Sequence, residues 1–353
     1  MARLTRAQQQ ERTRAAVLVA ARREFTEHGY ADAKVDRIAE RADLTRGAVY
    51  SNFAGKRALY LAVLTDDAER ARDLARPPLR SPESTGAALG AFARVWLERL
   101  PLAGDTPASG HLQLRSLSGV VDTAPTRAAL AELLRLEALL LALSLDADTP
   151  PVRTADLALT LLHGAAGLAE KAPGAGDPFD LSRAAEHLGA LASGPDFGPG
   201  EPPPHLAYVA PARAVREPWT PPAGLRDELT GEPVDLGGDG VVVVLGAGRL
   251  GAVREAVGEG ATFVVVTSDP AETGRLVRLR VADLAGCLRR VFAPGDLPRV
   301  RIVLDEEGTA AEAVGAASDD GTETAVRVRG GEIRARAEGY GAGHAVSRTD
   351  LER

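Results

Sequence analysis

The sequence predicts a multidomain protein, in which an all-helical N-terminal part of about nine helices precedes a smaller α/β domain. Helical patterns separated by Gly, Pro and Asp clusters fill the chain up to residue 194. Nine of the 23 prolines then fall within residues 194–224, a composition typical of a semi-rigid linker. Valine-rich runs after this stretch predict strands, and 353 residues are enough for two or three domains.

Charge is unevenly distributed along the chain. The net charge is −7, yet residues 1–57 carry 12 basic and 7 acidic side chains, a balance of +5. The remaining residues therefore hold −12. A basic head on an acidic body suits a domain that neutralises nucleic-acid phosphates. Simple arginine richness explains the same balance, so charge alone leaves both interpretations open.

Several classes of protein and site are disfavoured by composition. No apolar run approaches the ~18 residues of a membrane span, and the first 30 residues lack a signal-peptide core. We therefore expect a cytoplasmic protein without a membrane partner. The single cysteine, Cys287, excludes an internal disulfide and a Cys-rich zinc site. His111, His163 and His187 lack metal-ligand spacing, so we expect no metal and no cofactor.

The N-terminal helices are spaced as a helix-turn-helix. The apolar pattern of residues 7–28 predicts a first helix, which Gly29 should end. A short second helix follows at 35–42, and Thr45 is a natural N-cap for a third helix that reaches Phe53. Two short helices joined by a tight turn are the arrangement that places a recognition helix in the DNA major groove.

One face of the third helix is not required for packing against the core. Arg46, Gly47, Tyr50 and Ser51 lie at i, i+1, i+4 and i+5 of this helix and can face a DNA groove. A helix-turn-helix that only packs against another element is the alternative. The predicted DNA contacts are Lys34, Thr45, Arg46, Gly47, Tyr50, Ser51 and Lys56.

These residues carry a family resemblance. The stretch "RIAERADLTRGAVYSNFAGKRALYLAVL" (37–64), preceded by "AARREFTEHGYADAKV", resembles the signature of the tetracycline-repressor (TetR) family. The resemblance departs from the family at Ala33 and Lys34, where a Thr or Ser usually caps the second helix. We expect a weaker cap here and a phosphate contact from Lys34 instead.

The resemblance implies a homodimeric transcription regulator, a ligand-responsive repressor that binds a palindromic double-stranded DNA operator. It divides the chain into a DNA-binding domain (1–57) and a helical domain for effector binding and dimerisation (58–195). A linker (196–224) and the α/β domain (225–353) follow. Further helices are predicted at 83–100, 108–122, 125–146, 151–171 and 178–193.

Two sets of apolar residues are candidates for these roles, although each set could equally form an ordinary core. A small-molecule effector would contact Phe92, Trp96, Leu112, Leu114, Leu117 and Leu136. A dimer interface would contain Leu161, Gly164, Ala165, Leu168 and Leu188.

The α/β domain begins with a motif that favours nucleotide binding. In "VVVVLGAGRLG" a strand leads into Gly246, Gly248 and Gly251, which form the pattern G-x-G-x-x-G. Asp269, at the end of the next strand, lies where a ribose-binding acid belongs. A nucleotide-sensing regulator, or a redox enzyme with a DNA-binding head, is therefore an alternative function.

The order of elements favours a different fold. Strands are predicted at 241–245, 262–267, 300–304, 324–329 and 332–337, and one more before the valines. The last two form a hairpin around Gly330 and Gly331. This order, with "VLDEEG" and "TAVRVRGGEIRARAEG", resembles the thioredoxin-like fold, although a Rossmann fold stays open. The loop that carries the cysteines in that family has none here, and Cys287 lies on an apolar helix face. We therefore expect a non-catalytic domain.

Overall fold

The computed structural model describes residues 5–192, 194, 203–258 and 260–349, without the side chains of residues 107 and 109. Residues 5–192 form nine helices and no strand, as the sequence predicts. The helices are α1 (Arg6–Asp32), α2 (Val35–Arg41), α3 (Arg46–Tyr50), α4 (Lys56–Leu74), α5 (Thr85–Leu97), α6 (Pro107–Gln113), α7 (Ala124–Leu145), α8 (Val152–Lys171) and α9 (Pro178–Ala192). None of the helices in the described ranges is long and apolar enough to span a membrane.

Helix boundaries follow local chemistry, with three departures from the predicted limits. Gly29 has φ +68° and kinks α1, which resumes and ends at Asp32. Helix α3 ends at Tyr50 rather than Phe53. Helix α6 ends far short of residue 122, and Arg115 soon after it has φ +54°, a conformation incompatible with a helix. Side-chain hydroxyls cap the N-termini of α1, α3, α5 and α7 (Thr5, Thr45, Ser84 and Thr123).

A mixed six-stranded sheet forms the C-terminal region. Its strands are β1 (Arg213–Pro218), β2 (Gly240–Gly246), β3 (Ala261–Val266), β4 (Arg301–Leu304), β5 (Glu323–Arg329) and β6 (Glu332–Glu338). The order across the sheet is β1-β6-β5-β2-β3-β4. Strands β2, β3 and β4 are parallel, whereas β5 is antiparallel to both β2 and β6. The predicted hairpin is confirmed, with positive φ at Gly330 and Gly331.

The sheet differs from the sequence-based prediction at its N-terminal end. Strand β1 lies inside the predicted linker and pairs with β6, so this part of the Pro-rich stretch is sheet. The strand expected just before the valines is replaced by isolated bridges, such as the pair Asp227 and Val303. Residues 196–202 of the predicted linker lie outside the described residues.

The topology bears on the two fold hypotheses. A dinucleotide-binding sheet would flank β2 with parallel strands on both sides, but its neighbour β5 is antiparallel. In addition, β2 leads into a 3₁₀ helix (Ala247–Glu255), where the sequence pattern predicts an α-helix. The thioredoxin-like assignment stays a prediction. Three α-helices complete the region: α10 (Arg275–Val291), α11 (Thr309–Ala313) and α12 (Ala342–Ser347).

Helix α10 joins the two parts of the chain into one core. Twelve of its 17 residues are buried, and it packs against α4, α5 and α7. Its apolar side chains share one buried cluster with those of the helical part and with β2 and β3, including Phe92 and Phe263. The predicted segments 58–195 and 225–353 therefore bury much of their apolar surface against each other.

Candidate functional site

A tight turn fixes the angle between α2 and α3. Asp43 adopts φ +55° in this turn, a conformation that Asp tolerates better than most residues. Thr45 Oγ1 then accepts a hydrogen bond from the Ala48 N–H at 3.2 Å and begins α3. Ile38 and Val49 are buried between the helices. The short α3 is therefore anchored by one face only.

The opposite face of α3 is exposed. The Arg46 side chain is 60% exposed, and Tyr50 is 41% exposed. The guanidinium carbon of Arg46 lies 5.5 Å from the Tyr50 ring centroid, and Nη1 lies 3.2 Å from an Asp36 carboxylate oxygen. Thr45, Gly47 and Ser51 are exposed beside them. This surface presents donors, acceptors and an aromatic ring without a partner in the core.

The start of α2 is capped in an unexpected way. Lys34 occupies the N-cap position and makes no side-chain cap, as its residue type predicts. Its N–H donates instead to Glu24 Oε1 at 3.1 Å, and Glu24 is fully buried. The exposed side chain of Lys34 can meet a phosphate beside this helix end. No sequence pattern indicates the role of Glu24, because a Glu on α1 is usually a surface residue.

Lys56 does not face solvent as predicted. Its Nζ donates to the carbonyl oxygens of Ala31 and Ala33, at 3.0 and 3.1 Å. It also lies 4.8 Å from the Tyr30 ring centroid, and burial lowers its pKa. Lys56 therefore joins α4 to the end of α1, and its predicted DNA contact stays a prediction.

Arg57, which sequence reasoning missed, connects the N-terminal head to both other parts of the chain. Its Nη2 lies 2.8 Å from Asp122, before α7, and its Nη1 lies 3.1 Å from Glu272, before α10. These pairs span 65 and 215 residues of sequence. No local pattern predicts contacts of such separation.

A cavity of about 720 Å³ lies among α5, α7, α8 and α10, and it contains three of the six predicted effector residues: Trp96, Leu114 and Leu117. The other three lie elsewhere. Phe92 and Leu136 are buried in the core and do not line this cavity. Leu112 lines a separate cleft of about 490 Å³.

Buried ion pairs separate these two cavities and tie α10 to the helical part. Asp283 accepts hydrogen bonds from Arg99 Nη1 at 2.5 and 2.6 Å, and Arg115 Nε lies 3.2 Å away. Burial alone would raise the pKa of Asp283, but Arg99 and Arg115 outweigh it and lower the pKa to about 2. Arg280 makes a bidentate pair with Glu137, at 2.6 and 2.7 Å.

Helix α8 exposes an apolar stripe. Leu157 and Leu168 are 37% and 52% exposed, Leu161 is half-buried, and Gly164 is exposed between them. The predicted interface residue Leu188 is half-buried on α9. Ala165, also predicted there, is 8% exposed and belongs to the core of its own chain. Residue 165 therefore lies on the inner side of α8.

The glycine loop packs against protein rather than surrounding an open site. The Gly246 N–H donates to the Thr322 carbonyl at 2.8 Å, and the Gly248 N–H donates to the Asp320 carbonyl at 2.9 Å. A Cβ on Gly246 would lie 2.3 Å from the Asp320 carbonyl carbon. These glycines are needed for close contact with the loop before β5.

The other parts of the nucleotide motif are also occupied. The Gly251 N–H donates to Glu132 Oε2 at 2.8 Å, which places a carboxylate where a phosphate would have to bind. Asp269 accepts from the Glu272 N–H at 3.1 Å and caps the turn before α10. The structure therefore does not support the nucleotide-sensing alternative.

Neither the cysteine nor the one acidic cluster of suitable geometry offers a reactive centre. Cys287 is 5% exposed on α10, and burial raises the pKa of its thiol, as expected for an inert residue. Among the described residues, Glu24, Glu27 and His28 lie close enough together to hold a metal. Arg41 pairs with both carboxylates, however, so these residues do not suit a cation.

Comparisons with known proteins agree with the geometry of the head. Residues 17–63 match a family model described as bacterial regulatory proteins, tetR family. The HTH-type transcriptional repressor AcnR of Corynebacterium efficiens is 43% identical over 58 residues, 16% of this chain and 31% of that protein. The HTH-type transcriptional regulator SrpR of Pseudomonas putida is 47% identical over 64 residues, 18% of this chain and 30% of that protein.

These curated relatives are matched over about a third of their length. A solved structure from Streptomyces coelicolor, described as a candidate transcriptional regulator (SCO4942), is 28% identical. The match covers 51% of this chain and 96% of that one, with a TM-score of 0.30. The family-model match alone confirms the predicted resemblance, and it does so for residues 17–63, which carry the TetR-type helix-turn-helix.

Proposed function

We propose that the protein is a cytoplasmic DNA-binding transcription regulator, a ligand-responsive repressor that acts as a homodimer on a palindromic operator. The observation that carries the proposal is the exposed face of α3, where Arg46 and Tyr50 project from a helix held by its other face. The named relatives of this segment are transcriptional repressors and regulators. The C-terminal region has no proposed catalytic role.

In this function α3 enters the major groove. Arg46 and Tyr50 would meet base edges, and Gly47 would let the helix approach closely. Thr45 and Ser51 would contact the backbone near the ends of α3, and Lys34 would neutralise a phosphate at the start of α2. Asp36, which now pairs with Arg46, would have to release it on binding.

The test is a gel-shift and footprinting assay with the double variant Arg46→Ala/Tyr50→Ala. The variant should protect no DNA, while its circular dichroism spectrum stays unchanged because both side chains lie outside the core. The matched control is Arg94→Ala/Tyr208→Ala, which removes an exposed Arg and an exposed Tyr far from α3 in sequence. Normal protection by the α3 variant would contradict the assignment.

The homodimer would form through the apolar stripe of α8. Leu161, Gly164 and Leu168 are spaced to meet a second copy, and a Cβ on Gly164 would meet nothing within 4 Å, so two helices could approach closely here. In light scattering, the wild type should have twice the chain mass of 36.9 kDa. Leu168→Glu should be monomeric, whereas Leu79→Glu, at a fully exposed site, should stay dimeric. A monomeric wild type would refute the proposed homodimer.

An effector in the α5–α7–α8–α10 cavity would change the affinity for DNA by altering the separation of the two heads. A typical coupling of about 1–3 kcal/mol corresponds to a 5–150-fold change. Arg57 supplies a path, because it links the base of α4 to the residues just before α7 and α10. An operator-release assay with ligands that raise the melting temperature tests this coupling.

A further inference from the structure

The cavity among α5, α7, α8 and α10 carries an excess of positive charge. Arg99, Arg115 and Arg280 line it, and two buried carboxylates, Asp283 and Glu137, pair with them. Counted with Glu137, which pairs with Arg280, three cations exceed two anions by one charge at the wall of the cavity. Glu170 and Lys171 also line the cavity and add one charge of each sign.

Arg115 has one buried donor that no acceptor in the described part of the chain satisfies. Its side chain is 13% exposed, and within the described part of the chain its Nε is a buried donor without a hydrogen-bonded acceptor. Its contact with Asp283, at 3.2 Å, is ionic, while Asp283 accepts its hydrogen bonds from Arg99. A buried donor without an acceptor is costly unless something else binds it.

Most of the remaining lining of the cavity is apolar, with Ser116, Ser118 and His163 as its polar members. Its volume of about 720 Å³ falls within the ~300–1,000 Å³ of small-molecule sites. Trp96 is held edge-on to His163, with ring centroids 5.0 Å apart, and forms one rigid wall. The apolar lining residues are Leu114, Leu117, Leu130, Leu134, Ala166 and Leu168.

We propose that this cavity binds a small organic carboxylate with an apolar body, and that Arg115 is the residue that binds the carboxylate. Guanidinium and carboxylate match in a planar, two-bond geometry, and the leucines would cover the apolar body. The proposal rests on the proposed function and adds the chemical class of its effector, for which the sequence alone indicates only apolar contacts.

The site also explains how a ligand would be sensed. Gly164 and Leu168 line the cavity and belong to the exposed stripe of α8, so a bound ligand would lie beside the proposed dimer contact. Arg280 and Asp283 come from α10, so the C-terminal region completes the cavity. This gives that region a role without any catalysis.

The test is isothermal calorimetry on the full-length protein with phenylacetate, cinnamate and octanoate, each compared with its primary amide. At least one carboxylate should bind about tenfold or more tightly than its amide, a difference of ~1.4 kcal/mol. Arg115→Gln should lose that difference, whereas Arg94→Gln, at an exposed site on α5, should keep it. If Arg115→Gln fails to fold, Leu134→Trp should fill the cavity and abolish binding with the charges intact.

The proposal is overturned if no carboxylate binds in the millimolar range, if the amides bind equally well, or if both cavity variants bind like the wild type. DNA binding by the ligand-free protein is measured separately by gel shift. Carboxylate binding without DNA binding would refute the proposed function and leave the site standing. DNA binding without carboxylate binding would refute the carboxylate site and leave the proposed function standing.

Discussion

Replacing Asp283 with Asn should remove a large part of the free energy that holds α10 against the helical part of the chain. Asp283 is 7% exposed and lies 2.5 Å from Arg99 and 3.2 Å from Arg115. Burial works against its ionised form, yet the two arginines lower its pKa from 3.8 to about 2. The ionised carboxylate is therefore more stable here than in the unfolded chain.

The magnitude can be bounded in two ways. A pKa lowered from 3.8 to about 2 corresponds to about 2 kcal/mol of stability. Removing one partner of a buried ion pair costs about 3–5 kcal/mol, because the other charge is left uncompensated. We therefore expect Asp283→Asn to lower the free energy of unfolding by about 2–5 kcal/mol at neutral pH.

The pH dependence has a definite sign. Since the folded-state pKa lies below the unfolded one, the stabilisation is complete above about pH 4 and is lost as the pH falls towards 2. Urea unfolding of the wild type, followed by circular dichroism, should show this loss of stability at low pH. The stability of Asp283→Asn should lack this pH-dependent contribution. Asp148→Asn, at an exposed position, is the control. If the free energy of unfolding of Asp283→Asn lies within about 0.5 kcal/mol of that of this control, the ion pairs of Asp283 do not have the stabilising role assigned to them.

Four further outcomes follow from the positions of the glycine loop, the two lysines and the cysteine. Gly248→Val should destabilise the protein, because its Cβ would lie 2.8 Å from the Asp320 carbonyl oxygen. Calorimetry with NAD(H), NADP(H) and FAD should show no binding to the wild type, and micromolar binding would revive the nucleotide hypothesis. Lys34→Ala should make the slope of log K for DNA binding against log salt concentration shallower by about 0.9 for each phosphate that the variant no longer neutralises. Lys56→Ala should lower the melting temperature and leave that slope unchanged. Cys287 should react with Ellman's reagent only when urea unfolds the chain, and rapid reaction of the native protein would contradict its burial.

Local sequence signals predict most of the secondary structure. Thr45 caps α3, Gly330 and Gly331 form the hairpin, and the five predicted strands lie within two residues of their observed limits. Each of these features depends on residues that are neighbours in sequence. Hydroxyl caps, positive-φ turns and β-branched runs act over a few residues, which is why a single sequence reveals them.

The failures concern contacts between distant residues. The ion pair of Arg99 with Asp283 joins residues 184 apart, and no periodicity indicates that α10 packs into the helical part. The sequence does not predict the hydrogen bonds of Lys56 to the carbonyls of residues 31 and 33, because these depend on how α1 and α4 meet. Phe92 and Leu136 have the chemistry of ligand-binding residues, and only the packing shows that they are core.

Selection from a pool of random duplexes tests the claim that α3 reads DNA from a symmetric dimer. The full-length protein should enrich an inverted repeat, with half-sites separated by one helical turn of about 10 base pairs or a multiple of it. The variant Arg46→Ala/Tyr50→Ala should enrich nothing. Selection of no sequence by the wild type, or of the same repeat by the variant, would contradict the claim.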